Sequence, residues 1–276
     1  MPLSPARQTA LVNLVRRAAR AEILPRFRNL SVAEIAAKSG PEDLVTEADH
    51  AAEAMLTRGL REMFPGALIV GEEAVSRDPS IADGIAEAEL AFIVDPVDGT
   101  WNFARGLSTF GVIVAATRRG VPVFGLLYDP VMDDWLVADE TTPTRHVRPG
   151  RPDLRVQVSG GGDVGEMSGF IPLYLLPEQH RGAVAALYPE FRRAASLRCS
   201  CHEYRMLAQG HVDFCLGAGL SPWDHAAGVL ICQKAGGYAA MLDGSPYTAA
   251  RRDGILLTAP SPDAWARLRE RFEMLA

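Results

Sequence analysis

The stretch FIVDPVDGTWNF, Phe92–Phe103, places two carboxylates around a proline directly behind an apolar run. Leu90–Val94 has the composition of a buried strand, so Asp95 and Asp98 stand where that strand leaves the core. Two such acids repel each other, and an ion loses its hydration on burial. A positive partner is therefore required that the stretch does not contain. Asp, Pro and Gly are also turn formers, so a tight turn is the plain alternative reading of Asp95–Gly99.

Three other acidic positions share this placement at an element end. Asp49 opens a predicted helix over Thr46–Phe64, with Thr46 as N-cap and Asp49 in the capping-box position. Glu72, with Glu73, follows the predicted strand Ala67–Val70. Asp224 opens a helix over Asp224–Ala235 that stops at Gly236-Gly237. Taken singly, Asp49 and Asp224 read as helix caps, and Glu72-Glu73 as a solvated turn. Taken together, the five acids suit a hard dication, since Mg²⁺ takes carboxylate oxygens and links them to phosphate. Two such ions can clamp the attacking and leaving oxygens of an in-line displacement. In that reading the Val97 carbonyl is a further ligand, the Gly99 and Thr100 amides hold a phosphate oxygen, and the Thr100 hydroxyl orients a water.

The rest of the chain frames these acids. Its 276 residues are 48% hydrophobic and 22% charged, ordinary for a globular chain able to bury a sizeable core, and the formal charge of −6 argues against nucleic acid as a partner. There is no signal-peptide pattern and no apolar run near the ~20 residues of a membrane span. The four cysteines, Cys199, Cys201, Cys215 and Cys232, form no framework. These features predict a cytoplasmic protein with reduced thiols. A first helix follows Ser4-Pro5, and strands over Phe110–Thr117, Val123–Tyr128 and Trp135–Ala138 predict an antiparallel run. Around Thr142–Pro152 three prolines and four arginine or histidine residues mark a boundary. The expected organisation is an α+β half over 1–145, carrying most of the acids, and an α/β half over 146–276, contributing Asp224 and the substrate side.

Four segments carry a resemblance: DLVTEAD (Asp43–Asp49), GEE (Gly71–Glu73), FIVDPVDGTWNF and PWDHAAGVLICQKAGG (Pro222–Gly237). In this order, over nearly the whole chain, they resemble the inositol monophosphatase family of Mg²⁺-dependent, lithium-sensitive phosphatases. The resemblance implies a layered αβαβα sandwich of the inositol monophosphatase / fructose-1,6-bisphosphatase type, usually dimeric. It implies two or three Mg²⁺ per site. Glu72, Asp95 and the Val97 carbonyl would hold the first, and Asp95, Asp98 and Asp224 the second. Glu72, with Glu73 nearby, would touch a third. Asp49 and Thr100 would position the water, Gly99 and Thr100 would grip the phosphate, and Lys38 would orient the acids.

The match departs on the alcohol side. The family's Gly-Ser-Ala-Ala-like segment corresponds to Arg198-Cys199-Ser200-Cys201, and its hydroxyl-binding acid to Gly217 or Ala218. Arg198 either reads a second anionic group on the substrate or pairs with a structural acid such as Glu203. Arg205 reads as a helix-surface charge, the cysteines as buried or semi-buried thiols, and Trp101 as a site wall or packed aromatic. His225 either reaches substrate or simply begins its helix. The implied activity is hydrolysis of a small, inositol-phosphate-like ester, with histidinol phosphate, a nucleotide 3′-phosphate or a sugar bisphosphate as other candidates. The alternative of another class is a non-catalytic regulatory binding protein of the transcription machinery.

Overall fold

The computed structural model describes residues 3–276. Helix α1 (Pro5–Ala18) begins at the Ser4 cap with proline in its first turn and runs on through a π-helical turn, Ala19–Ile23. A short hairpin, β1 (Ile35–Gly40) and β2 (Asp43–Thr46), leads into α2 (Glu47–Met63). The Thr46 hydroxyl caps the Ala48 amide, and the Asp49 carboxylate accepts the Thr46 amide at 2.9 Å, completing the expected capping box.

A seven-stranded sheet follows in simple sequence order. Its strands are β3 (Leu68–Gly71), β4 (Ala91–Asp98), β5 (Gly111–Arg118), β6 (Val121–Asp129), β7 (Asp134–Asp139), β8 (Arg145–Val147) and β9 (Leu154–Arg155). The predicted antiparallel run holds from β4 to β9, whereas β3 joins β4 in parallel. The crossover between them carries α3 (Glu72–Arg77), so Glu72 and Glu73 open a helix and are not the solvated turn of the plain reading. Helix α4 (Thr100–Ala104) follows β4. The remaining elements are β10 (Ser168–Phe170), α5 (Glu178–Ala186), β11 (Arg193–Ala195), α6 (Ser200–Ala208), β12 (Phe214–Ala218), α7 (Pro222–Lys234), β13 (Tyr238–Met241), β14 (Ile255–Ala259) and α8 (Pro262–Arg271). Their five strands form a mixed sheet in the order β11-β10-β12-β14-β13.

Side-chain alternation builds the layers. Phe92, Val94, Val112, Val114 and Phe124 turn one face of the seven-stranded sheet onto Leu11, Val15, Leu56 and Leu60 of α1 and α2. The intervening Ile93, Ile113, Ala115 and Leu127 turn the other face onto α6 and α7, which also cover Cys215, Met241 and Leu256 of the second sheet. The far side of that sheet, Phe214, Leu216 and Leu257, packs on Val184 of α5 and on Trp265 and Leu268 of α8. The result is the expected αβαβα sandwich. The close approach of α6 and α7 depends on Gly228, where a Cβ would lie 2.2 Å from the Tyr204 ring. No helix among the described residues is long and apolar enough to cross a membrane. All four cysteines are buried free thiols.

One charge is not where its sequence suggests. Arg205 is buried inside the sandwich, where its guanidinium donates to the Leu127 carbonyl at 3.0 Å and pairs with Asp134. Its neighbours Tyr204, Leu207 and Ala208 are buried as well, so this face of α6 points inward. Arg205→Met is expected to cost about 3 kcal/mol in urea unfolding, because it leaves Asp134 with a buried charge short of its main partner.

Candidate active site

Asp95 and Asp98 are three residues apart, and in a regular strand they would face opposite sides of the sheet. The β4–β5 register shifts between them, and this irregularity brings both carboxylates to one side. Pro96 has no N–H to lose from the ladder and suits that irregular position. Asp224, from the first turn of α7, completes the group. Each of the three offers a carboxylate oxygen within 4.8 Å of the others. The site thus lies where the end of β4 meets the start of α7.

The electrostatics of this group are severe. Burial pushes Asp95 well above the ordinary carboxylate range, and the charges of Glu72, Asp98 and Asp224 push it further. Asp224 is raised by burial and then by Asp98 and Glu72. Burial raises Asp98 too, opposed by hydrogen bonds from three consecutive residues. The Cys199 thiol donates to Asp98 Oδ2 at 3.0 Å, the Ser200 amide to Oδ1 at 3.1 Å, and the Cys201 amide to Oδ2. Among the described residues no lysine or arginine forms an ion pair with Asp95, Asp98 or Asp224. Three crowded, desolvated carboxylates with no cation of their own fit a hard divalent ion.

Lys38, on β1, serves the flank of the group. Its ammonium donates to Glu72 Oε1 at 2.7 Å and to Glu73 Oε1 at 2.6 Å. Burial alone would lower its pKa, but the two glutamates outweigh it and hold the ammonium above its ordinary range. Glu73 is buried, and its amide donates to Glu53 Oε2 at 2.7 Å. Burial pushes Glu53 up to about 7. Lys38→Met leaves Glu72 and Glu73 without the cation that orients them. The affinity for a divalent ion, read by calorimetric titration with Mg²⁺, is expected to fall about 10- to 100-fold.

Behind the acids lies a short chain of hydrogen bonds. The Thr100 hydroxyl is 3.0 Å from Asp49 Oδ1 and 2.9 Å from the Val97 carbonyl. Asp49 is wholly buried, and its Oδ2 accepts from the Thr46 amide and hydroxyl at 2.9 and 2.6 Å. Burial pushes Asp49 up to about 7, partly offset by the Thr46 hydrogen bonds and reinforced by Glu72. The carboxylate that caps α2 and the one that meets Thr100 are therefore the same side chain. Gly99, at φ 85°, turns the chain from β4 into α4 in a conformation glycine adopts most readily, and a Cβ there would lie 2.9 Å from the Thr109 carbonyl.

A cavity of about 550 Å³ opens over the group, lined by every candidate site residue except Asp49 and Glu73. On its alcohol side, the Arg198–Cys201 segment holds Asp98. Arg198 itself pairs with Glu42 at 2.7 Å and not with Glu203. Glu203 lines the cavity as well. It is buried, accepts from the Leu197 amide at 2.7 Å and is pushed up to about 7 by burial. His225 Nδ1 lies 2.9 Å from the Tyr204 hydroxyl, and burial drives the imidazole down to about 4, keeping it neutral. A Cβ on Gly217 would stand 2.9 Å from His225 Cε1, so the missing side chain at 217 and the ring at 225 share one space. The sequence singles out neither Glu42 nor Glu53, and offers Glu203 only as a structural partner for Arg198. Glu53 leaves a trace there, as an acid one turn beyond Asp49 on the buried face of α2.

The family model described as "Inositol monophosphatase family" matches residues 6–271. The inositol-1-monophosphatase of Bacillus subtilis is 28% identical over 230 residues, covering 82% of this chain and 83% of the relative. The Nus factor SuhB of Haemophilus influenzae is 30% identical over 230 residues, covering 81% of this chain and 80% of that protein. The solved structure of an IMPase of Thermotoga maritima superposes with a TM-score of 0.79 at 23% identity, over 98% of this chain and 100% of that one, so the fold is shared.

Proposed function

The chain belongs to the inositol monophosphatase family, and from that premise we propose that it is a Mg²⁺-dependent phosphomonoesterase acting on a small, inositol-phosphate-like ester. The observation that carries this reading is the convergence of Asp95, Asp98 and Asp224 within 4.8 Å, with no lysine or arginine ion pair among the described residues. In the proposal Glu72, Asp95 and the Val97 carbonyl hold one ion, Asp95, Asp98 and Asp224 a second, and Glu72 with Glu73 nearby a third. Bound there, Mg²⁺ would supply Lewis acidity toward the phosphate and a lowered pKa for water.

The protein's own groups do the remainder. Asp95 is shared between the two ligand sets, and its crowding by Glu72, Asp98 and Asp224 is what a bridging role requires. The Gly99 and Thr100 amides would donate to the phosphate oxygens, where negative charge grows during the displacement. As the attacking water gives a proton to Thr100 Oγ1, Thr100 passes its own proton to Asp49 Oδ1, so the hydroxyl is restored and the carboxyl, pushed up to about 7, holds the proton. Lys38 keeps Glu72 in place from the other side. No side chain here is asked to form a covalent phosphoenzyme.

A panel of inositol, histidinol, nucleotide 3′- and sugar phosphates, assayed with Mg²⁺ and with chelator, tests the reading. Chelator-sensitive phosphate release from at least one member is expected, and no release from any member counts against it. The likeness to a protein named Nus factor SuhB supports a second reading, a regulatory role in the transcription machinery. Binding to RNA polymerase that survives loss of Asp95 would support that role beside catalysis. The family likeness also supports a homodimer, which sedimentation equilibrium would test.

A further inference from the structure

Arg198 is the most deliberately placed charge at the mouth of the cavity. Its guanidinium carbon lies 4.3 Å from the Trp101 ring centroid and 4.7 Å from that of Tyr174. Arg105 stacks on the same indole at 4.1 Å. These contacts hold the guanidinium plane by its faces and leave its N–H edge to read an acceptor. The backbone at Arg198 is left-handed, φ 54°, an unfavourable conformation for a residue with a side chain, so the fold keeps the arginine here against local strain. Its position beside the phosphate grip is direct. The Arg198 carbonyl lies 3.4 Å from where a Gly99 Cβ would stand, and Trp101 follows Thr100 in the chain.

The edge of this arginine is occupied only loosely. Nη1 donates to Glu42 Oε2 at 2.7 Å and Nη2 to the Glu42 carbonyl at 3.3 Å, while Nε is buried without a partner. Gly40 pairs with Asp43, so Glu42 belongs to the tight turn joining β1 and β2. Its side chain is 60% exposed, against 23% for Arg198. An exposed ion pair of this kind contributes little to stability. One partner is clamped between rings and the other sits on a hairpin tip, so it is the acid that can leave. The nearby charge of Arg105 also helps to hold the Glu42 carboxyl below its ordinary range, behind the hydrogen bond from Arg198.

Resting on the phosphatase reading above, we propose that the alcohol released by this site carries a second anionic group, a carboxylate or a phosphate, and that Arg198 binds it in the place held by the Glu42 carboxylate. Glu42 then moves into water. The preferred substrates are acidic phosphomonoesters, such as phosphorylated sugar acids or sugar bisphosphates, over neutral polyol phosphates of the same length.

Matched pairs test this. Gluconate 6-phosphate against sorbitol 6-phosphate isolates a carboxylate, and fructose 1,6-bisphosphate against fructose 6-phosphate isolates a phosphate. Wild type is expected to favour the acidic member of at least one pair in kcat/KM, and the favoured pair says which anion is read. In Arg198→Met that preference ratio falls about 10- to 100-fold, as for loss of a charge-assisted hydrogen bond. In Glu42→Gln, which leaves the arginine in place, the ratio rises. A wild-type ratio near one in both pairs, or an equal loss on both members in Arg198→Met, overturns the second-anion subsite and leaves the phosphatase intact. No Mg²⁺-dependent turnover of any member, in this set or the wider panel, contradicts the phosphatase reading and this inference with it.

Discussion

Asp95→Asn is expected to abolish Mg²⁺-dependent phosphate release while making the metal-free protein more stable. Asp95 is the carboxylate most heavily crowded by its neighbours, and it belongs to both proposed ligand sets. Losing the shared ligand removes several kcal/mol of charge stabilisation from the displacement, which corresponds to a fall in kcat of roughly 10³-fold or more. The stability effect has the opposite sign. An acid whose pKa is raised on folding stabilises the protein below its unfolded value, and that contribution is lost as pH rises through its folded value. Asp95 and Asp224 are raised well above the ordinary range, and Asp49, Glu53 and Glu203 sit at about 7. In chelator, the thermal midpoint of the wild type should therefore fall as pH rises from about 4 through about 7. Mg²⁺ should restore it, since a ligand of the folded state stabilises by mass action. Asparagine at 95 should flatten the pH dependence and remove the response to Mg²⁺. Near-full activity in this variant, or a wild type insensitive to Mg²⁺ in thermal melts, would contradict the assignment.

Thr100→Val carries the second large effect. It removes the hydroxyl that links the proposed phosphate grip to Asp49 and leaves every proposed metal ligand in place. General acid–base groups contribute typically 10²- to 10⁴-fold, and kcat is expected to fall by about that factor. The Mg²⁺ concentration for half-maximal rate should change little. Asp49→Asn should give the same division between kcat and metal affinity. Its amide still offers an oxygen to cap Thr46, but no carboxylate to take the proton. A collapse of metal affinity with kcat intact at saturating Mg²⁺ would place Thr100 among the metal ligands and not in the relay.

The acidic group was legible because its pattern is local. Strand, proline and two aspartates lie within seven residues, Phe92–Asp98, and the capping-box spacing of Thr46 and Asp49 is a short-range signal that the structure reproduces. The layered fold was legible for a similar reason, since alternating apolar residues on β4 to β6 require cover on both faces. What stayed hidden depends on long-range placement. Arg198 and Glu42 are 156 residues apart, and nothing near either residue names the other. Arg205 looked like a surface charge because its partner Asp134 lies 71 residues earlier, on another element. The role of Cys199–Cys201 was hidden because it runs through backbone amides and a thiol turned onto Asp98, which residue type does not encode. The pairing of β3 with β4 in parallel follows from the crossover through α3, and Glu72 and Glu73 read as a turn only while that helix was unseen.

The central claim is that Asp95 joins two divalent-ion positions, and crystals grown with Mn²⁺ and inorganic phosphate test it most directly by anomalous scattering. Two peaks are predicted at metal–oxygen distances of about 2.2 Å. One should be shared by Glu72, Asp95 and the Val97 carbonyl, and the other by Asp95, Asp98 and Asp224. An anomalous map with no peak on Asp95, at Mn²⁺ concentrations that support phosphate release, would contradict it.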